Sequence, residues 1–392
     1  MTLRNGATVR TEVGTAREAL SDGPLGIDVA DRVRLQSRAS LPNGGDGDLG
    51  VVDLFAGLGG LSLGFAEAAE AVGRPARCLG VDSDATAIAV YQRNMPGGRG
   101  LCADLTDVFN GRLNRRLTAS ERALRDMAGT VEIVLGGPPC QGHSAFNNRT
   151  RHADERNALF FTMVRAAEVL EPEHVVIENV PGALRDRSEV VQRSVDALEG
   201  LGYSLSYGVV RMEQIGVPQR RRRLLIVASR KSPIRIEEVT TAHQTPTRNV
   251  RWAIRDLAGI KPCRLVDMPA RSAPQTQARI DVLFEEGLWN LPNEHRPECH
   301  ANGNHSYGSI YGRLDWDEPA QTITTGFYSM CMGRYVHPSE RRTITAHEAA
   351  RLQFLPDSMN LEEVNKRGEL ARLIGNAVPT KLGYALGLEL LG

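Results

Sequence analysis

The sequence predicts an α/β fold: a mainly parallel sheet covered by helices on both faces, joined to a smaller irregular domain. Three observations predict it. Apolar runs of strand length at residues 51–55, 78–81, 131–135, 174–177 and 224–228 alternate with helical periodicity at 85–94, 157–170 and 188–201, and strands separated by helices pair in parallel. Residues 203–210 and 222–228 have no helix between them, so they are expected to be antiparallel neighbours at one sheet edge. After Ser232 the alternation stops. Residues 233 to about 330 are rich in Pro, Asn, Gly, His and Arg, and helical patterns return only at 345–352 and 380–391.

A chain of 392 residues can bury a large core. Its 47 basic residues balance 47 acidic ones, so a nucleic-acid partner would have to meet a local patch. Lys231, Lys261, Lys366 and Lys381 are the lysines, and arginine supplies the remaining basic charge. Arginine suits bidentate grips on phosphate or guanine, although GC-rich coding DNA produces the same bias. The 6 cysteines lack paired spacing, which points to a reducing compartment. No signal-peptide core or membrane-length apolar run is found, so a soluble, cytoplasmic protein is expected. Residues 1–48 lack sustained periodicity and are expected to form a poorly ordered extension, with one short helix near 16–20.

The first strand ends in Asp53-Leu54-Phe55-Ala56-Gly57-Leu58-Gly59-Gly60 and opens a helix with Leu61, Phe65, Ala68 and Val72 on one side. Glycines there let the backbone approach a ligand and leave helix N–H groups free, though glycines also serve plain tight turns. Asp82 follows the second strand, where a Rossmann-like fold places a carboxylate on ribose hydroxyls. Asp104 follows a short third strand. No P-loop lysine accompanies the turn, which disfavours ATP. S-adenosylmethionine fits better, because its sulfonium is positive and it has no phosphate to cradle.

Gly136-Gly137-Pro138-Pro139-Cys140-Gln141-Gly142 follows a buried strand, and its two prolines stiffen the loop that carries the thiol. Glu178, in Ile177-Glu178-Asn179-Val180, ends the next strand. Sites gather at the C-terminal ends of such strands, so Cys140 and Glu178 are expected to face one crevice. Taken singly, each has a bland alternative: a buried apolar cysteine, a strand-end carboxylate. Gln219-Arg220-Arg221-Arg222-Arg223 leads into a strand, and alternation predicts that Arg221 and Arg223 point to the same side.

As an ordered set, these segments resemble the DNA (cytosine-5)-methyltransferase family. They are joined by Arg351-Leu352-Gln353-Phe354-Leu355-Pro356-Asp357 and Gly375-Asn376-Ala377-Val378-Pro379. The resemblance covers roughly residues 49–392. It implies a Rossmann-like S-adenosylmethionine-dependent methyltransferase fold. Residues 49–232 would form the catalytic domain, with 370–392 returning to it. Residues 233–345 would form a target-recognition domain, and 346–369 a connecting helix and loop.

The implied reaction is methyl transfer from S-adenosyl-L-methionine to C5 of a flipped-out cytosine in a specific duplex sequence, leaving S-adenosyl-L-homocysteine. Cys140 resembles the nucleophile that adds at C6, and Glu178 the acid that binds the N3/N4 edge. Arg221 and Arg223 would steady the ring oxygen, the glutamate and the phosphates. Asp53, Phe55, Gly57, Leu58, Gly59, Gly60, Asp82, Ser83, Asp104, Leu105, Pro139, Leu159 and Asn376 would make the cofactor site. Within it Asp82 would take the ribose and Asp104 the adenine amine. Gln141, Ser144, Gln219 and Thr322 would contact DNA.

Three positions depart from the family pattern. Ser83 stands where many members carry a ring stacked on adenine, His143 replaces an aromatic or bulky apolar residue, and Leu355 replaces a Phe. The implied partners are double-stranded DNA and a cognate restriction endonuclease, and a monomer is expected. No metal is implied: His295, Cys299, His300 and His305 do not have zinc-finger spacing. A tRNA methyltransferase on the same scaffold is the alternative, but the Cys-Phe-Thr element usual in that branch is missing. A catalytically silent DNA-binding regulator would not need the full set of Cys140, Glu178, Arg221 and Arg223.

Overall fold

A computed structural model describes residues 24–39, 47–95, 97–139, 158–186, 189–231, 234–301 and 310–392. Helix α1 (Pro24–Gln36) comes first. An alternating series follows: β1 (Leu49–Leu54), α2 (Gly60–Ala71), β2 (Ala76–Asp82), α3 (Ala85–Asn94) and β3 (Arg99–Cys102). After α4 (Leu105–Val108) and α5 (Ala119–Ala128) come β4 (Ile133–Gly136), α6 (Ala158–Leu170), β5 (His174–Asn179) and α7 (Val190–Gly200). Next are β6 (Ser204–Arg211), β7 (Gln219–Arg220) and β8 (Arg222–Ser229). The region beyond holds α8 (Ile236–Ala242), α9 (Val250–Ile254), α10 (Pro274–Glu285), α11 (Glu298–Ala301) and β9 (Ala320–Gln321). Helices α12 (Ala346–Leu352), α13 (Arg367–Asn376) and α14 (Thr380–Leu391) close the chain.

Seven strands form one sheet in the order β3-β2-β1-β4-β5-β8-β6. β1 through β5 run parallel, and every residue of β1 and β5 is buried. A strand covered on both faces reads as a continuous apolar run, which is what the sequence shows there. β8 is antiparallel to both β5 and β6, so the expected hairpin is present with β8 inside the edge strand. One core joins α2 and α14 to the 250–257, 314–327 and α12–α13 segments. A second lies on the other sheet face under α5, α6 and α7, and a third gathers Ile280, Leu283, Leu291, Ile310, Tyr311, Met330 and Val336. No helix among the described residues is long and apolar enough to cross a membrane.

Helices α2 and α14 touch backbone to backbone. A Cβ on Gly64 would lie 1.9 Å from the Thr380 carbonyl oxygen, so only glycine allows this approach. The closure brings the end of the chain onto the first helix of the sheet domain, beside the turn that follows β1.

The extension expected over 1–48 is corrected at residues 24–36, which form a docked helix. Asp31 receives Lys381 Nζ at 2.7 Å and Arg248 Nη2 at 2.7 Å. Asp28 receives Arg248 Nε and Trp252 Nε1, both at 3.0 Å, and Arg34 Nε donates to Glu67 at 2.7 Å. Charged partners far along the chain hold α1, and no local periodicity announces them. The short helix expected near 16–20 lies outside the described residues. The region read as irregular contains α10, begun by Pro274 and anchored by the buried Ile280 and Leu283. Helix α5 was also not expected, although Thr118 and Glu121 form the capping box that starts it.

Candidate active site

The C-terminal ends of β1, β2, β4 and β5 converge, as parallel register requires: Leu54 lies opposite Val81 and Gly136, and Gly136 opposite Ile177. The turn after β1 is a chain of left-handed residues, with φ of 59° at Phe55, 54° at Gly57 and 87° at Gly59. A phenylalanine in that region is strained, and such strain concentrates at functional sites. A Cβ on Gly57 would meet nothing within 4 Å, so among the described residues the turn faces open space. Gly57 N–H donates to Asp82 Oδ2 and Asp84 N–H to Asp82 Oδ1, each at 2.9 Å. The carboxylate is thereby fixed beside the turn with lone pairs left to accept from a ligand. Asp104 caps α4 and is exposed; Thr106 donates to its Oδ1 through both N–H and hydroxyl, and these bonds hold its pKa below the ordinary value.

Ser83 and Pro139 are exposed at this mouth, Leu159 is half-buried at the start of α6, and Asn376 is exposed at the end of α13. Leu58, Gly59, Gly60 and Leu105 are buried, so they offer at most backbone to a ligand. Asp53 is a correction. Its side chain is sealed under the turn, where Ser62 Oγ donates to it at 2.5 Å and Tyr91 OH to Ser62 at 3.1 Å. Burial, countered in part by the Ser62 bond and reinforced by Asp82, pushes its pKa up to about 7. Asp53 supports the turn from below and does not face the opening.

Glu178 is 7% exposed, and Arg223 Nε lies 2.6 Å from its Oε1. The next residue, Asn179, donates through Nδ2 to Pro138 O at 2.9 Å and accepts from Val180 N–H at 2.8 Å. A Cβ on Gly137 would stand 3.4 Å from Glu178 Oε2. The last two described residues before Cys140 are Pro138 and Pro139, so the thiol-bearing loop leaves β4 against Glu178. Cys140, Gln141, His143 and Ser144 lie outside the described residues. Asn179 is the residue whose role sequence reasoning missed; its signal was an amide following a strand-end carboxylate.

The arginine run does not share one face as alternation predicted. The chain leaves the small β7–β9 pair at Arg220 and enters the main sheet at Arg222, so the ladder breaks at Arg221. Arg223 turns to Glu178, while Arg221, 2% exposed, donates to Ile323 O at 3.0 Å and Ala377 O at 3.1 Å. Gln219 is also corrected. It is fully buried, donates to Leu352 O at 2.9 Å and Gln353 Oε1 at 2.7 Å, and accepts from Ile323 N–H at 2.8 Å. Those bonds make it an internal strut instead of a DNA contact. Thr322 is partly exposed, with its hydroxyl donating to Arg220 O at 2.8 Å. Arg351 forms a two-pronged pair with Asp357, 2.6 Å on each prong, and also grips Asp256. That segment is therefore a buried brace between α9 and α12.

A mostly parallel seven-stranded sheet with one antiparallel strand, a glycine turn after β1 and acids after β2 and β3 define an S-adenosylmethionine-dependent methyltransferase. The fixed Asp82 carboxylate, the exposed Asp104 and the open space at Gly57 fit that cofactor's hydroxyls, amine and positive sulfonium. The profile of the C-5 cytosine-specific DNA methylases matches residues 49–392, and the chain belongs to that family. It is 40% identical to the Type II methyltransferase M1.BsuMI of Bacillus subtilis (strain 168) over 344 residues, covering 88% of this chain and 80% of that protein. It is 33% identical to the Type II methylase M.HgiDII of Herpetosiphon aurantiacus over 350 residues, covering 86% and 93%. The S. pombe Dnmt2 methyltransferase structure superposes with a TM-score of 0.59 at 19% identity, over 87% of this chain and 98% of that one, and shares the fold. The chain is thus a DNA cytosine-5 methyltransferase that uses S-adenosylmethionine.

Proposed function

We propose that the chain methylates one cytosine in a specific duplex word through a covalent bond between the Cys140 sulfur and C6 of the flipped base. The observation that carries this reading is the Asn179–Pro138 bond, which fastens the exit of the Cys140 loop beside Glu178. Cytosine C5 is a poor nucleophile. Addition of the Cys140 thiolate at C6, with Glu178 delivering a proton to N3, turns C5 into an enamine carbon able to attack an electrophile. S-adenosylmethionine, when bound, supplies the electrophilic methyl group. Loss of the C5 proton to a base, with the N3 proton returning to Glu178, then restores the C5–C6 double bond and expels the thiolate. Asp82 holds the ribose hydroxyls and Asp104 the adenine amine. Phe55, the Gly57–Gly60 backbone, Ser83, Leu105, Pro139, Leu159 and Asn376 border the same ligand. Arg223 keeps Glu178 oriented toward the base, and Arg221 fixes the strand junction that carries it.

Gln141, Ser144 and Thr322 would meet DNA, and residues 233–345 would read the word. The Type II names of the relatives suggest pairing with an endonuclease of the same specificity; we further take the chain as a cytoplasmic monomer, associated with the nucleoid through DNA. The test is incubation of purified protein with labelled cofactor and either mixed genomic DNA or unmodified tRNA, followed by bisulfite sequencing. Labelled DNA with methylation confined to one word, abolished by Cys140→Ser, is expected. Label in tRNA alone, or none in DNA, would overturn the proposal.

A further inference from the structure

Gly312-Arg313-Leu314 crosses the smaller domain in extended form. Leu314 is buried, and Arg313 N–H donates to Trp289 O at 2.9 Å. The Arg313 guanidinium carbon lies 4.4 Å from the centre of the Trp289 ring and 4.7 Å from that of Phe284. Among the described residues it makes no ion pair and no side-chain hydrogen bond, and its Nε is shut from solvent without a partner. Neighbouring arginines are fully engaged. Arg334 donates to Trp289 O and Arg313 O at 2.9 Å each, and to the Asn290 side chain. Arg341 pairs with Asp281 at 3.3 Å and Glu285 at 3.2 Å. A guanidinium held against two rings keeps its cation–π attraction; Nε faces the protein, and Nη1 and Nη2, not shut from solvent as Nε is, form the edge open to an acceptor.

The position connects to the β9 segment that carries Thr322, proposed above to meet DNA. Tyr335 OH donates to Thr322 O at 2.8 Å, and a Cβ on Gly333 would lie 2.8 Å from Gln321 Nε2. Arg334, between them in sequence, joins this β9 ribbon to the Trp289 and Arg313 loops. The ribbon's other strand leads through Arg221 to Arg223 and Glu178. Trp289 is 40% exposed, so the stack opens outward.

We propose that Arg313 is a specificity-determining residue that donates its two-pronged edge to O6 and N7 of a guanine in the target word. Ring contacts and backbone pairing fix the fork at one place, which suits a base edge; a fork also matches a phosphate, and salt dependence separates the two. The inference rests on the DNA-methylating reading above and deepens it.

The test compares the full-length wild type with Arg313→Lys, Arg313→Gln and Trp289→Leu on a random-sequence duplex library, read by bisulfite sequencing, with melting curves to confirm folding. Arg313→Lys keeps the charge but loses the fork. It is expected to relax discrimination at one guanine position by about 5- to 150-fold and leave the rest of the word intact. Trp289→Leu retains the arginine and is expected to weaken the same position. An unchanged word in the variants that fold would overturn the inference. So would a uniform loss with a salt slope shallower by about 1, the mark of a phosphate contact. A wild type that modifies no DNA would overturn the parent reading and this one together.

Discussion

Glu178 owes its place to its neighbours. Arg223 holds one carboxylate oxygen, while Asn179 ties the following turn to the Pro138 carbonyl. Asn179 touches no reacting atom, so Asn179→Ala is expected to lower kcat by about 100-fold through a displaced loop, with KM for DNA little changed. Single-turnover kinetics would check it, and an unchanged kcat would remove Asn179 from the account. On the proposed mechanism Glu178→Gln cannot protonate N3, and it is expected to lower kcat by about 100- to 10,000-fold. Asp53 gives a different kind of prediction. Its pKa rises from 3.8 to about 7 on folding because burial disfavours the charged form. Between about 4 and 7 the unfolded chain ionises alone, so this group's contribution to stability falls as pH rises through that window and levels off above it. Asp53→Asn is expected to flatten that fall, so its Tm relative to wild type should climb from pH 5 to pH 8. A constant difference would show that Asp53 is ionised in the folded protein throughout.

The elements show which parts of the fold the sequence could announce. The strands β1, β2, β4, β5 and β8 were legible because each is a buried apolar run, and all but β8 alternate with helical patterns. Helix α1 was not, because charged residues anchor it to partners hundreds of positions away. Burial alone would raise the Asp31 pKa, but the Lys381 and Arg248 charges outweigh burial and hold it below the ordinary value. Asp31→Ala would leave two cations facing a buried gap, and a loss of about 3–5 kcal/mol is expected in urea denaturation. A loss below about 1 kcal/mol would mean that α1 is held by its apolar face alone. The arginine run was half legible. Period-2 reasoning put Arg221 and Arg223 on one side, but it assumed one unbroken ladder. The strand changes sheets at Arg221, and that switch turns Arg221 toward Ile323 and Ala377. Gln219 was misread because the resemblance made it a DNA contact, while its amide is satisfied inside the protein.

Across the whole molecule, the parallel register delivers the glycine turn after β1, the Pro138-Pro139 exit of β4 and Glu178 to one end of the sheet, and α14 packs back against α2. Order along the chain made that convergence legible, since each segment follows a strand of the same sheet. The pairing between the smaller domain and the catalytic sheet was not legible, because it runs through carbonyl oxygens gripped by Arg221 and Arg351, and carbonyls leave no trace in sequence. The most direct measurement is covalent trapping on duplex DNA in which the target cytosine carries fluorine at C5. Once the methyl is transferred, fluorine cannot leave as a proton does, so the sulfur–C6 bond persists. Wild-type protein with S-adenosylmethionine should form a complex that survives denaturing electrophoresis, Glu178→Gln should form it far more slowly, and Cys140→Ser not at all. A complex of undiminished yield with Cys140→Ser would contradict the attack of this thiol on the base.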